Sequence, residues 1–304
     1  MVKYFSITGA IFCLLCSVSQ AVDSPRVVAS IKPIHSLVVQ VMDGIGEPVL
    51  LMKGATSPHN YALKPSEARA LNIADAIFWI GGEFESFLRK PVAGLKQKTH
   101  TVAFSRAKSV RLIKGQDDHG HAASGHNDDH AAIDMHLWLD PENAKAMLAV
   151  IAKTLGEIDP TNSVRYTANA INATKQITKV TTEIEEALEP IKKTPFIVFH
   201  DAYQYFEKRF RIYATDAISV NPERQPGAKR LYEIRRRIKS SAAECVFSEP
   251  QFAPKLIETV IEGTSARTGI LDPLGASIPA GPDAYANILK GIAAGFLECL
   301  GGGS

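Results

Sequence analysis

Short apolar runs alternate with amphipathic stretches along most of the chain, the pattern of α/β domains in which helices cover strands. "RVVASI" (Arg26–Ile31) reads as a strand, and "PIHSLVVQVM" behind it as a helix opened by Pro33. "PVLLM" from Pro48 is a second strand, and "KPSEARALNIAD" from Lys64 a helix with Pro65 in its first turn. "AIFWIGG" (Ala76–Gly82) is a third strand, followed by a helical "FESFLRKPVAGL". After less regular spacers, "HTVAFS" and "HLWLD" continue the strand series.

The middle of the chain departs from this rhythm. From Thr161 to Glu189 there is neither Gly nor Pro, while Pro160 and Pro190 bracket the run. Val164, Ala168, Ile171, Ile177, Val180, Ile184 and Leu188 fall mostly at three- and four-residue steps. A continuous helix here is about 40 Å long at 1.5 Å per residue, a rigid connector rather than a flexible linker. The alternation then resumes: "PFIVFH", "ECVFS" and "TGILD" read as strands, with helices from Ala202, Gly227, Pro254 and Pro282. The fold expected is α/β, two (β/α) lobes with central parallel-type sheets joined by one long rigid helix. The boundaries are an N-terminal lobe over 22–158, the connecting helix over 159–191 and a C-terminal lobe over 192–304.

Residues 1–21 stand apart from the fold. Lys3, an apolar run from Ile7 to Val18 and Ser19-Gln20-Ala21 have the form of a cleaved secretory signal peptide. Lipidation at Cys16 is the rival reading, disfavoured by the bulky Leu15 before it. Export makes the periplasm the expected location, and cleavage leaves Cys245 and Cys299 as the mature chain's cysteines. Two cysteines in an oxidising compartment read as one disulfide; two buried free thiols are the alternative. A composition of 45% hydrophobic and 22% charged residues is that of a globular protein with real cores. The net charge of +2 gives no electrostatic reason for nucleic acid or an anionic membrane as partner.

Candidate chemistry lies at strand ends and turns. His59 sits in a Ser-Pro turn after "PVLLM", His136 begins "HLWLDP", His200 ends "PFIVFH" and Asp272 ends "TGILD". Ligands in α/β sheets bind at the carboxyl ends of strands. Three imidazoles and a carboxylate would close a tetrahedral set for a borderline-soft divalent ion, zinc above all. Each residue also has a plain structural reading: a hydrogen-bonded histidine, or an aspartate forming a turn before Pro273. Spacing does not decide, since these positions lie roughly 60–80 residues apart, unlike the ligands of a finger or a HExxH helix.

Five ordered motifs carry a resemblance that spacing lacks. "SPHNYALKPSEARAL", "DMHLWLDPENA", "FHDAYQYFEKRF", "SEPQF" and "LDPLG" resemble the metal-binding proteins of bacterial ABC importers, and within them the zinc-uptake (ZnuA-type) periplasmic solute-binding proteins. The likeness runs from about Arg26 to Leu300. It implies two (β/α) lobes on one long helix, metal ligands at His59, His136 and His200, and Asp272 as the carboxylate. Members that import manganese generally carry Glu where this chain has His200, so the three-imidazole set favours Zn2+. Some zinc importers carry an acidic residue just before the first ligand; here that place is Pro58, which puts weight on Asp272 or on a water. Several zinc cases also have a disulfide near the C-terminus, in keeping with Cys245 and Cys299. The partners implied are a zinc ion and an ABC transporter membrane permease, with the chain acting as a monomer.

A histidine-dense stretch remains. His119, His121, His126 and His130 lie among Asp, Gly, Ala, Ser and Asn, with nothing apolar larger than Ala over 116–132. Such a segment is expected to be a loop without a core of its own, offering auxiliary, weaker metal sites; a solubilising insertion is the plain alternative. His35 is read as a helix-start histidine bonded to backbone rather than a cleft residue. Asp201 either orients a ligand ring or caps a helix, and Trp79, Glu83 and Trp138 are read as cleft-wall and core residues. "RLYEIRRRIK" is read as a solvated basic face. The function expected is capture and delivery of zinc without catalysis. A manganese or iron importer and a metal-dependent adhesin share the fold; a zinc hydrolase would need an open metal position and a general base, for which no residue offers itself.

Overall fold

The computed structural model describes residues 24–54, 56–58, 61–95, 97–115, 133–219, 227–251 and 254–302. The N-terminal lobe holds β1 (Val27–Ala29), α1 (Lys32–Val41), β2 (Val49–Leu50), α2 (Pro65–Ile73), β3 (Ala76–Trp79), α3 (Arg89–Ala93) and β4 (His100–Ala103). Its four strands pair in parallel in the order β2-β1-β3-β4. After α4 (Pro141–Ile158) and the long helix α5 (Ser163–Leu188), the second lobe repeats the plan. It runs β5 (Phe196–His200), α6 (Gln204–Phe210), β6 (Asp216–Ser219), α7 (Ala228–Ser241), β7 (Cys245–Ser248), α8 (Pro254–Ile261), β8 (Arg267–Ile270) and α9 (Ala284–Leu300). Its strands are parallel in the order β6-β5-β7-β8. Central strands β3 and β5 are buried along their whole length, as expected of parallel sheets covered on both faces.

Three elements differ from the pattern reading. "HLWLD" is not a strand: Leu137–Leu139 form one 3-10 turn with His136 before it. Leu137, Trp138 and Leu139 are all fully buried, so their side chains fill the core on every side and no period-2 face exists. The backbone is then captured by α4, whose N-cap Asp140 accepts from the Glu142 N–H at 3.0 Å and whose first residue is Pro141. Helix α4, with Ala144, Met147, Leu148, Ile151 and Leu155 buried at helical spacing, has no counterpart in the reading, nor does β6, a four-residue strand "DAIS".

The connecting helix is present, in a shifted register at its N-terminal half. It buries Tyr166, Ala170, Ala173, Ile177, Val180, Ile184 and Leu188, whereas Val164 and Ile171 are exposed. Small Ala170 and Ala173 allow close approach to neighbouring helices, and Tyr166 is anchored by its hydroxyl donating to Asp159 at 3.1 Å. Helix α5 packs on α1, α4 and α9, so elements of both lobes share its buried stripe. One continuous core follows, with Ile34, Phe78 and Trp138 from one side and Phe196, Phe247 and Phe296 from the other.

Cys245 at the start of β7 and Cys299 in α9 form a disulfide, their Cα atoms 6.2 Å apart. Beside it Gly269 of β8 lies so close that a Cβ there would stand 2.4 Å from the Phe247 ring. In the first lobe the buried Glu85 ties the ends of β1 and β3 together, accepting from Ser30 Oγ at 2.5 Å, Ile80 N at 3.1 Å and Gly81 N at 2.8 Å. Burial outweighs these donors and pushes its pKa up to about 7.

Two outcomes are expected. The unreduced, denatured protein should show no free thiol from Cys245 or Cys299, and replacing both by Ser should lower the unfolding free energy by about 4 kcal/mol, the loop-closure value for a 54-residue separation. Glu85 keeps its proton in the folded chain and loses it in the unfolded chain at lower pH. Its contribution is therefore full in acid and is lost as pH rises from the ordinary carboxyl value to about 7. Denaturant titrations at about pH 5 and about pH 8 should show wild type losing up to roughly 3 kcal/mol more than Glu85→Gln over that interval.

Candidate metal centre between the lobes

The structure brings two of the four proposed ligands together, edge to face. His200 is the last residue of β5, and His136 precedes the 3-10 turn that leads into α4. Their ring centroids are 4.9 Å apart at an interplanar angle of 76°. Both side chains are buried. They line a small cavity of about 20 Å³ together with Pro58, Phe84, Trp138 and Pro273, which come from both lobes.

Each ring spends the same nitrogen on the protein. His136 Nδ1 lies 2.7 Å from Asp134 Oδ1, and the same oxygen accepts from the His136 backbone N–H at 3.0 Å. His200 Nδ1 lies 3.1 Å from Glu249 Oε1, which also accepts from the Tyr203 hydroxyl at 3.0 Å. An ionised carboxylate only accepts, so a neutral ring facing one carries its proton on Nδ1. That is the tautomer a divalent ion needs, with the ring aim fixed by the partner behind it. Burial alone would push His200 down, but the charge and hydrogen bond of Glu249 prevail and hold its pKa above the ordinary value. Around α6, burial and the charge of Asp134 raise Asp201, while burial and Asp201 push Glu207 up to about 8.

The remaining predicted positions fall as follows. Asp272 stands two residues beyond β8, half-buried, and its two oxygens accept from Leu274 N at 3.3 Å and Ala276 N at 2.5 Å. It forms the turn, and its neighbours Pro273 and Leu274 line the cavity. A carboxylate held by two N–H groups still has lone pairs for a cation. His59 lies outside the described residues, although Ser57 and Pro58 just before it line the cavity. On its other side Tyr61 is fixed by donating to Glu67 at 2.6 Å, at the start of α2. His119, His121, His126 and His130 also lie outside the described residues. Among the described residues no three His, Cys, Asp or Glu side chains gather closely enough to hold a metal by themselves.

The lesser candidates are settled by their partners. His35 is buried in α1 with Nε2 3.1 Å from the Pro48 carbonyl oxygen, the backbone-bonded reading. Asp201 neither orients the His200 ring nor caps α6; it accepts from Gln204 Nε2 at 2.9 Å, and Glu249 takes the orienting place. Trp138 walls the cavity, Trp79 belongs to a separate apolar cluster, and Glu83 pairs with Arg106 at 3.6 Å on the surface. On the basic helix α7, Arg235 reaches Glu262 at 3.0 Å and Arg237 reaches Asp216 at 2.6 Å. Asp134 and Glu249 are the residues the sequence reading passed over. Asp134 had a local signal, a carboxylate two residues before a histidine. Glu249 stood in the motif "SEPQF", but its pairing with His200 follows only from β7 lying beside β5.

Two parallel α/β lobes on one long helix, with paired imidazoles in the seam, define a two-lobed metal-binding receptor. A crystal structure of ZnuA superposes with a TM-score of 0.77 at 25% identity, covering 91% of this chain and 100% of that one. A ZnuA deletion mutant with zinc bound superposes with a TM-score of 0.76 at 25% identity, covering 91% and 98%. A High-affinity zinc uptake system protein ZnuA of Brucella abortus (strain 2308) is 44% identical over 315 residues, spanning 94% of each chain. Residues 27–299 match the family described as zinc-uptake complex component A, periplasmic, and the chain belongs to that family. Its members are solute-binding components of zinc uptake. Among the described residues no helix is long and apolar enough to cross a membrane.

The carboxylate behind His200 generates a direct test. Glu249→Ala is expected to weaken zinc binding about 10–100-fold in competition against a chelator of known affinity, and Glu249→Gln, which keeps an acceptor, to recover part of the loss. Unchanged affinity in Glu249→Ala would remove the orienting role.

Proposed function

We propose that this chain captures Zn2+ in the seam between its lobes through His59, His136, His200 and Asp272 and hands it to an ABC-type membrane permease. The observation that carries the reading is the pair of buried imidazoles 4.9 Å apart, each with a carboxylate at Nδ1 that fixes the aim of the ring. Three imidazoles with one carboxylate suit zinc better than manganese, whose preference runs to oxygen ligands. The work is binding and release by a monomer, with no catalytic step. The lobes span 22–158 and 192–304 about the helix 159–191, and a leader over 1–21 directs the chain to the periplasm. The histidines over 116–132 offer auxiliary, weaker sites. Support for that division comes from the cost of ordering a chain segment that has no apolar surface to bury.

Competitive zinc titration of the mature protein with and without residues 116–132 tests the assignment. One tight site should survive the deletion while weaker sites disappear, and His136→Ala should abolish tight binding where His126→Ala leaves it. Loss of the tight site on deletion, or equal effects of the two substitutions, would overturn it.

A further inference from the structure

We propose that Lys32 is a positioning residue for zinc capture, holding the loop of the opposite lobe that carries Asp272. The inference rests on the reading of Asp272 as a zinc ligand. Lys32 opens α1 in the N-terminal lobe and is only 7% exposed, an unusual place for a strongly hydrated ammonium. Water is replaced by three backbone carbonyls of one loop between β8 and α9. The Nζ donates to the Gly275 oxygen, to Ala276 O at 3.3 Å and to Ile278 O at 2.6 Å. An ammonium has three N–H groups, and all three are matched.

The loop is held from its other side by Asp272. The N–H groups of Leu274 and Ala276 point to the carboxylate, while the carbonyls of residues 275, 276 and 278 point to Lys32. The two charges thus set one turn between them, and they also sense each other, since Asp272 acts against the lowering of the Lys32 pKa by burial. The turn has little room to relax, because Gly275 has φ +66° and a Cβ there would meet Ile288 at 2.6 Å. A second donor from the same lobe, Trp138 Nε1, reaches Pro273 O at 2.8 Å, and the Trp138 ring flanks His136 at 5.4 Å. The loop that carries Asp272 is therefore held by donors of the lobe that carries His136. A ligand already in place has less freedom to lose on binding, and the gain is read mainly in slow release.

Lys32 is not what keeps the lobes together. Ser36 Oγ donates to Pro282 O at 2.8 Å and the Tyr285 hydroxyl to Trp138 O at 2.8 Å, independently of it. A role through Asp272 is thus separable from a role in holding the seam.

The test is a double-mutant cycle on zinc release. The zinc-loaded mature protein is mixed with excess chelator and the dissociation rate followed for wild type, Lys32→Met, Lys32→Arg, Asp272→Ala, His136→Ala and the Lys32→Met/Asp272→Ala pair. Lys32→Met should speed release about tenfold or more, Lys32→Arg by less than about threefold, and Lys32→Met should add less than about twofold once Asp272 is already Ala. If Lys32→Met does not fold, Lys32→Gln takes its place in the same cycle. Native release from Lys32→Met, or equal acceleration with and without Asp272, overturns the inference. If Asp272→Ala releases zinc at the native rate while His136→Ala does not bind, the inference falls and the imidazole site stands. If neither substitution matters, the site itself is misplaced.

Discussion

Everything at the centre of this molecule depends on a hydrogen bond made twice, from an imidazole Nδ1 to a buried carboxylate. A histidine taken out of water needs a partner for its N–H, and a histidine meant for a metal must keep one nitrogen bare. A carboxylate behind the ring meets the first demand and fixes where the ring points. For His136 the partner is local, because Asp134 receives both the ring and the backbone N–H of the residue two positions on. For His200 the partner is supplied by the sheet. Strands β5 and β7 pair in parallel with Val198 opposite Phe247, and the same offset carried two residues further sets Glu249 beside His200. Register in a parallel sheet is thus what delivers the charge, and the disulfide at the start of β7 fastens that strand to α9.

The second constraint is that rings from different parts of the chain must keep a fixed separation. A flexible hinge would leave that distance to chance. Here α5 presents one buried stripe to helices of both lobes, and the apolar core runs through the seam without interruption. Trp138 shows how core and site are joined. Its ring walls the cavity, its indole N–H reaches Pro273, and its carbonyl accepts from Tyr285. Packing residues and site residues are the same residues, so the approach of the two imidazoles is a property of the core.

Much of this was legible in the sequence. Strand-helix alternation gave both sheets, and the Gly- and Pro-free run gave α5, because these signals come from burial along single elements. The failures share one cause, that of contacts made on more than one side. "HLWLD" looks like a strand because its three central residues are apolar, yet all three are buried as a single 3-10 turn. Tyr166 rather than Val164 faces inward in α5, since the Asp159 carboxylate holds its hydroxyl. The short β6 has little apolar sequence to declare it, and is defined by pairing with β5. Glu249 stands in the motif "SEPQF", yet at 49 residues from its histidine nothing local names its partner.

Among the described histidines, partner choice separates one use of the ring from another. Four of the nine lie among the described residues, and their ring nitrogens are used differently. His100 is exposed on β4, where an imidazole has water for both nitrogens. His35 is buried but spends Nε2 on a backbone carbonyl, and burial lowers its pKa. A ring in that state is a structural side chain, however close other histidines lie in sequence. His136 and His200 instead spend Nδ1 on carboxylates, and their rings meet. The crowded stretch before His136 and the isolated His200 would rank in the opposite order by local composition. His136 and His200 rank together once each Nδ1 is followed to its partner, because rings from distant parts of the chain meet only through tertiary structure.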